Sequence, residues 1–214
     1  MQDAIIGRWH QESHWCGESL GSLRHLNHRF LDLAAAGGSE CPGLRGAPWC
    51  AGLVGQLAAL TAPQRAAAAG CPYALFDLRF QDDAHWGRRL RNMNDWRSAG
   101  DWRVADESAL DTDTVSFVRL ALFYAWHVAS GAGLKAQLLL GMNAATALAF
   151  RGITVDQLLP LVATESAHLS ARWNDCAAFW KALTAAASRP EPAGLRRVQL
   201  HGLQLAAAAR LPIH

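Results

Sequence analysis

One pattern in this chain occurs twice. The segment from Leu60 to Leu90 returns 93 residues later, without a gap, as Ile153 to Leu183. Thr61 then falls on Thr154, Gln64 on Gln157, Ala74 on Ala167, Arg79 on Arg172, Asp82 on Asp175, Ala84 on Ala177 and Leu90 on Leu183, 7 identities in 31 positions. Alanine matches count for little in so alanine-rich a chain. The Arg-aromatic-x-Asp match, Arg79-Phe80-Gln81-Asp82 against Arg172-Trp173-Asn174-Asp175, is harder to obtain by chance. A repeat constrains the fold because both copies must obey one local pattern and then offer like surfaces to each other.

Each copy has its own physical logic. Thr-x-x-Gln is a capping box, in which the Thr hydroxyl and the Gln side chain satisfy backbone donors that a helix start leaves bare. Thr61 and Thr154 are therefore expected to open helices, with Gln64 and Gln157 closing the boxes. Asp82 and Asp175 stand just before further helical stretches, where an Asp N-cap stabilises a start by about 1 kcal/mol. The repeated unit reads as helix, connector ending in Arg-aromatic, helix. Arg79 and Arg172 are expected to hold helix C-terminal carbonyls or Asp82 and Asp175, and Phe80, Trp173, Trp86 and Phe179 to be buried at equivalent places.

Outside the repeat the signals are also helical. From Asp3 to Ala36, Leu20, Leu23, Leu26, Phe30, Leu31 and Leu33 fall at helical spacing, opposite Arg24, His25, His28 and Arg29. Helices are expected over Trp49–Leu60, from Thr112 or Asp113 to Ser130-Gly131, over Leu134–Leu140, over Ala144–Arg151 after an Asn143 cap, and over Leu195–Arg210. No β-alternation of useful length appears, so the expected fold is all-α. The expected units are 1–94, a linker at 95–112, 113–188, and a C-terminal helix at 189–214.

With 51% apolar residues the 214-residue chain can build a core, and a net charge of +2 advertises neither nucleic acid nor membrane. The apolar run around Leu138–Met142 is far shorter than a bilayer span, and Met1-Gln2-Asp3-Ala4 lacks the basic start of a secretory signal. Five irregularly spaced cysteines, Cys16, Cys41, Cys50, Cys71 and Cys176, fit a reducing compartment. A soluble cytoplasmic protein is expected.

Few residues invite catalysis. His10-x3-His14-x-Cys16 has metal-ligand spacing but lacks the Glu of His-Glu-x-x-His, and no fourth ligand is placed. Gly17-Glu-Ser-Leu-Gly21 lacks the strand that a nucleophile elbow needs. Neither enzyme, cofactor nor metal is expected. The run from Trp86 to Arg97 is the candidate DNA contact: Arg88, Arg89, Arg91 and Arg97 could engage phosphates, although Asp95, Asp101, Asp106 and Glu107 would blunt their field.

Four further stretches, in this order, resemble one family: Leu122-Phe-Tyr-Ala-Trp-His-Val-Ala, Ala136-Gln-Leu-Leu-Leu-Gly-Met-Asn143, Ala147 through Ile153-Thr-Val-Asp-Gln-Leu-Leu-Pro-Leu161, and Ala171-Arg-Trp173. Over roughly 117–176 the chain resembles FlhD, the flagellar transcriptional activator subunit. Leu60–Asp82 is similar to the latter half of the same unit. The resemblance implies two tandem FlhD-like units packed as a pseudo-dimer, with extra N- and C-terminal helices. It also implies association with an FlhC-like partner that supplies most of the DNA affinity, in activation of flagellar transcription, and a dimerising surface. Family members carry one unit, and the first unit here has Gly46-Ala-Pro-Trp-Cys50 near the place of the Leu-Gly-Met-Asn turn. The alternative is a protein-binding accessory of a flagellar or type III secretion apparatus; a third reading is a metal enzyme using His10, His14 and Cys16.

Overall fold

The capping signals set the helix boundaries. In a computed structural model, backbone is described for residues 2–36, 48–99, 112–189 and 191–208, and side chains for 17–36, 52–91, 112–189 and 191–208. Ten helices carry these residues: α1 Gln2–Ala35, α2 Pro48–Ala59, α3 Ala62–Ala68, α4 Asp83–Ala99, α5 Thr112–Gly131, α6 Gly133–Leu140, α7 Ala144–Arg151, α8 Val155–Ser166, α9 Ala177–Ala187 and α10 Pro192–Ala208. The fold is all-α. Two strands of two residues, β1 Phe76–Asp77 and β2 Ser170–Ala171, form the one ladder among the described residues. Two residues are too few to leave a period-2 signature in sequence. None of these helices is long and apolar enough to cross a membrane.

Thr61 precedes α3 and Thr154 precedes α8, and in each case the Gln three residues on accepts from the Thr N–H at 2.8 Å. Asn143 caps α7, its Oδ1 accepting from Thr146 N at 2.7 Å. α6 stops at Gly141, whose φ of +76° suits glycine; a Cβ there would also overlap the Arg172 guanidinium. That guanidinium donates to Leu139 O, a carbonyl of the last turn of α6, at 3.3 Å.

Beyond the capping boxes the copies fall out of the ungapped alignment. α3 and α8 start 93 residues apart, whereas β1 and β2, and α4 and α9, start 94 apart. The N-cap of α9 is therefore Cys176, and Asp175 is not the cap the sequence pattern predicts. Asp82 does occupy that place before α4, its Oδ1 accepting from His85 N at 2.8 Å. Trp86 corresponds to Trp180 in place of Phe179, each the fourth residue of its helix. The Trp86 indole donates to Arg79 O (3.1 Å) and that of Trp180 to Arg172 O (2.9 Å). Three residues before each cap, Arg79 and Trp173 take positive φ, 57° and 53°. Phe80, Trp86 and Phe179 are fully buried, and Trp173 is half-buried. The expected linker also shortens, because α4 continues through 95–99; residues 100–111 lie outside the described ones.

β1 and β2 run antiparallel, with Phe76 opposite Ala171 and Asp77 opposite Ser170. A 94-residue shift places Phe76 on Ser170 and Asp77 on Ala171, so exchanging the strands turns one pair into the other. The ladder thus maps onto itself, as at a two-fold axis. From it the helices cross over: α4 packs on α7, and α9 packs on α2 and α3. The long helices α1 and α5 pack together, and α10 lies on α9. Hydrogen bonds fasten both crossings. Asn143 Nδ2 donates to Gln81 O (2.8 Å), Thr184 Oγ1 to Gln56 Oε1 (2.8 Å) and Gln64 Nε2 to Ser188 O (3.2 Å).

α8 stays helical to Ser166, but α3 unwinds after Ala68, leaving backbone groups of 69–75 inside the core. Fully buried Asn27 of α1 takes them up. Its Nδ2 lies 2.9 Å from Tyr73 O, 3.3 Å from Ala69 O and 3.4 Å from Cys71 O, and its Oδ1 accepts from Leu75 N at 2.9 Å. Replacement Asn27→Ala strands these groups and is expected to cost about 2–3 kcal/mol in urea unfolding; no measurable change would show that water serves them equally well.

Asp77 ends β1 and accepts from Phe80 N at 3.2 Å. Burial raises its carboxyl pKa above the usual range, against the lowering pull of that N–H and of Arg172. With the folded pKa above the unfolded value of about 3.9, stability is full below that value and is lost as pH rises through the folded pKa. Asp77→Asn, which keeps the acceptor, is thus expected to raise the unfolding midpoint at pH 7 and to leave it nearly unchanged at about pH 3. A fall at pH 7 would contradict the assignment.

Candidate functional site

Where α4 crosses onto the second half, its first turn delivers His85 and its second Arg89 towards the C-terminal end of α8. That end carries Glu165, and the turn after it carries His168, held by a His168 N to Glu165 O bond of 2.9 Å. Glu165 is wholly buried and lies where the helix dipole disfavours a negative charge. Polar partners offset this cost. His85 Nε2 is 2.8 Å from Glu165 Oε2, and Arg89 Nε is 3.1 Å from Oε1. A buried carboxylate demands such partners, since an isolated charge would cost many kcal/mol.

His168 completes the cluster. Its ring stands nearly perpendicular to that of His85, centroids 5.1 Å apart. One ligand atom from each of His85, Glu165 and His168 lies within 4.8 Å of the others. Burial holds the His168 ring below the usual histidine range, with repulsion from His85, Arg79 and Arg89 in the same direction and the Glu165 charge opposing. Among the described residues its side chain makes no hydrogen bond. The site therefore combines a carboxylate and two imidazoles, of which that of His168 is half-buried, a donor set suited to borderline metal ions or to proton exchange.

The residues expected to meet DNA separate. Arg88 and Arg91 are exposed on α4, while Arg89, 39% exposed, turns to Glu165. Arg97 lies on the same helix with its side chain outside the described residues, as do the side chains of His10, His14 and Cys16 on α1. Arg79 pairs with Asp82.

A 94-residue shift sets Cys71 against Glu165 and Phe179 against His85; Phe179 lies beside Tyr73, on which α10 packs. Tyr73 Oη donates to Val198 O at 3.5 Å, and Gly202 leaves room for the phenol, which a Cβ would overlap. Burial pushes the Cys71 thiol up to about 12.

His85, Glu165 and His168 do not stand out in the sequence. A Glu-x-x-His spacing at 165–168 was the available signal, since that step places both side chains on one side of a helical turn. Nothing local ties it to a histidine 80 residues earlier.

The fold and cluster define an all-α protein with a polar junction inside an otherwise apolar crossing. Comparison with protein-family models, curated proteins and solved structures finds no match to this chain. Removing the carboxylate with Glu165→Ala leaves His85 and Arg89 facing each other and is expected to destabilise the fold by about 3–5 kcal/mol. Denaturant unfolding checks this; a loss below about 1 kcal/mol would mean that solvent already screens the junction.

Proposed function

We propose that the protein is a non-enzymatic regulator or adaptor: two FlhD-like units joined as an intramolecular pseudo-dimer, acting through an FlhC-like partner subunit on promoter DNA. The supporting observation is the reciprocal crossing of α4 and α9 about a ladder that maps onto itself, the arrangement expected when one surface meets its own copy. On the resemblance drawn from the sequence, such a frame binds a second subunit and leaves most DNA affinity to the complex. Arg88 and Arg91, exposed on the crossing helix, then supply phosphate contacts.

The second reading, a cytosolic accessory of a flagellar or secretion apparatus that binds protein alone, draws support from exposed apolar pairs. Leu134 and Leu138 on α6 are 64% and 47% exposed, and Val155 and Leu159 on α8 are 40% and 50% exposed. Each pair is four residues apart, the spacing of a helical face.

Gel-shift titration of the chain, alone and with FlhC-type subunits, across a salt series separates the two. The regulator reading expects a shift with the partner present and a salt slope that drops by roughly 2 in the Arg88→Ala/Arg91→Ala double variant. Absence of DNA binding in every combination sinks the DNA part and leaves the protein-only reading.

A further inference from the structure

We propose that His85, Glu165 and His168 form a binding site for a divalent transition-metal ion, zinc by its donor chemistry, which staples α4 of the first half to the end of α8 in the second. The proposal stands apart from the regulator reading and does not depend on it.

The donors are already assembled: two imidazoles and one carboxylate, with ligand atoms within 4.8 Å of one another. Tetrahedral zinc, with Zn–N and Zn–O distances of about 2.0–2.1 Å, needs its donors about 3.3 Å apart. Glu165 Oε2 and His85 Nε2 stand 2.8 Å apart, so the adjustment falls mainly on His168. His168 sits on a turn, is half-buried and makes no side-chain hydrogen bond among the described residues, so rotation of its side chain gives up mainly the edge-on contact with the His85 ring. Two imidazoles select zinc-like ions over magnesium or calcium, which take oxygen donors.

The surroundings fit a ligand set as well as a bare ion pair. Arg89 holds Oε1, leaving Oε2 to face the His85 imidazole, which is how an outer partner orients a ligating carboxylate. Its positive charge opposes a dication, but the side chain is 39% exposed, so solvent screens part of that repulsion. A purely structural ion pair needs only His85, Glu165 and Arg89; it leaves the His168 ring packed edge-on against His85 and gives its nitrogens no partner among the described residues. A metal ion gives it one, and three protein donors leave a fourth position towards solvent for water or an incoming ligand.

The test uses the full chain carrying His10→Ala, His14→Ala and Cys16→Ser, which removes the other metal-type spacing. After chelator treatment, zinc is added back and followed by calorimetry and elemental analysis, with cobalt as a spectroscopic stand-in. One ion per chain is expected, with a rise in thermal midpoint on zinc addition, because the ion binds only the folded crossing. His168→Ala is expected to keep the metal-free fold and midpoint while losing more than the roughly 10–100-fold in zinc affinity that an outer-shell change costs. Zinc failing to bind, or binding equally well to His168→Ala, overturns the site. Glu165→Gln serves as a second ligand variant where it folds.

Discussion

The fold depends on the place where two short backbone segments meet and then part. Antiparallel pairing of Phe76 with Ala171 and Asp77 with Ser170 fixes their relative register, and the helices that follow run into opposite halves. Backbone polar groups at such a crossing are enclosed and must be paired within the protein. Ala74 N donates to Leu139 O at 2.7 Å, Arg172 N donates to Leu75 O at 2.9 Å, and Asn27 serves the unwound turn beside them. Beneath the ladder, Phe30, Phe76 and Phe117 join α1, β1 and α5 with ring centroids 5.1–6.1 Å apart, so the apolar core runs across both halves.

The two crossings carry different chemistry. The 94-residue shift sets His85 against Phe179 and Glu165 against Cys71. On one side Trp173 packs edge to face on both Tyr73 and Phe179, and α10 lies on α9 there. On the other a carboxylate, two imidazoles and a guanidinium meet. Aromatic packing stabilises its side without directional demands beyond ring geometry. The charged side depends on every partner being present, and it is the side with chemistry to offer.

Much of the fold was legible in sequence because its signals are local. Asn143, the two Thr-x-x-Gln boxes, Asp82 and Gly141 act within one turn of the chain, and the predicted starts of α3, α4, α7 and α8 follow from them. The one-residue shift after the capping boxes was not legible. Arg79 with Arg172 and Asp82 with Asp175 make a tempting ungapped match, yet Trp86 and Trp180, with their indoles bonded back to the preceding turn, are the physically equivalent pair. The extent of α4 was missed because the mixed charges from Asp95 onward resemble a linker, although tertiary context can override weak helix propensity. The His85–Glu165–His168 junction lies deeper still, since it exists only once α4 has crossed over.

That crossing is the central claim, and nuclear Overhauser contacts in the intact chain test it most directly. Cross-strand contacts between the backbones of Phe76 and Ala171 and of Asp77 and Ser170, together with side-chain contacts from Trp86 to Phe150 on α7, are predicted. Contacts placing Trp86 against α2 or α3 of its own half, without the strand pair, would contradict the account.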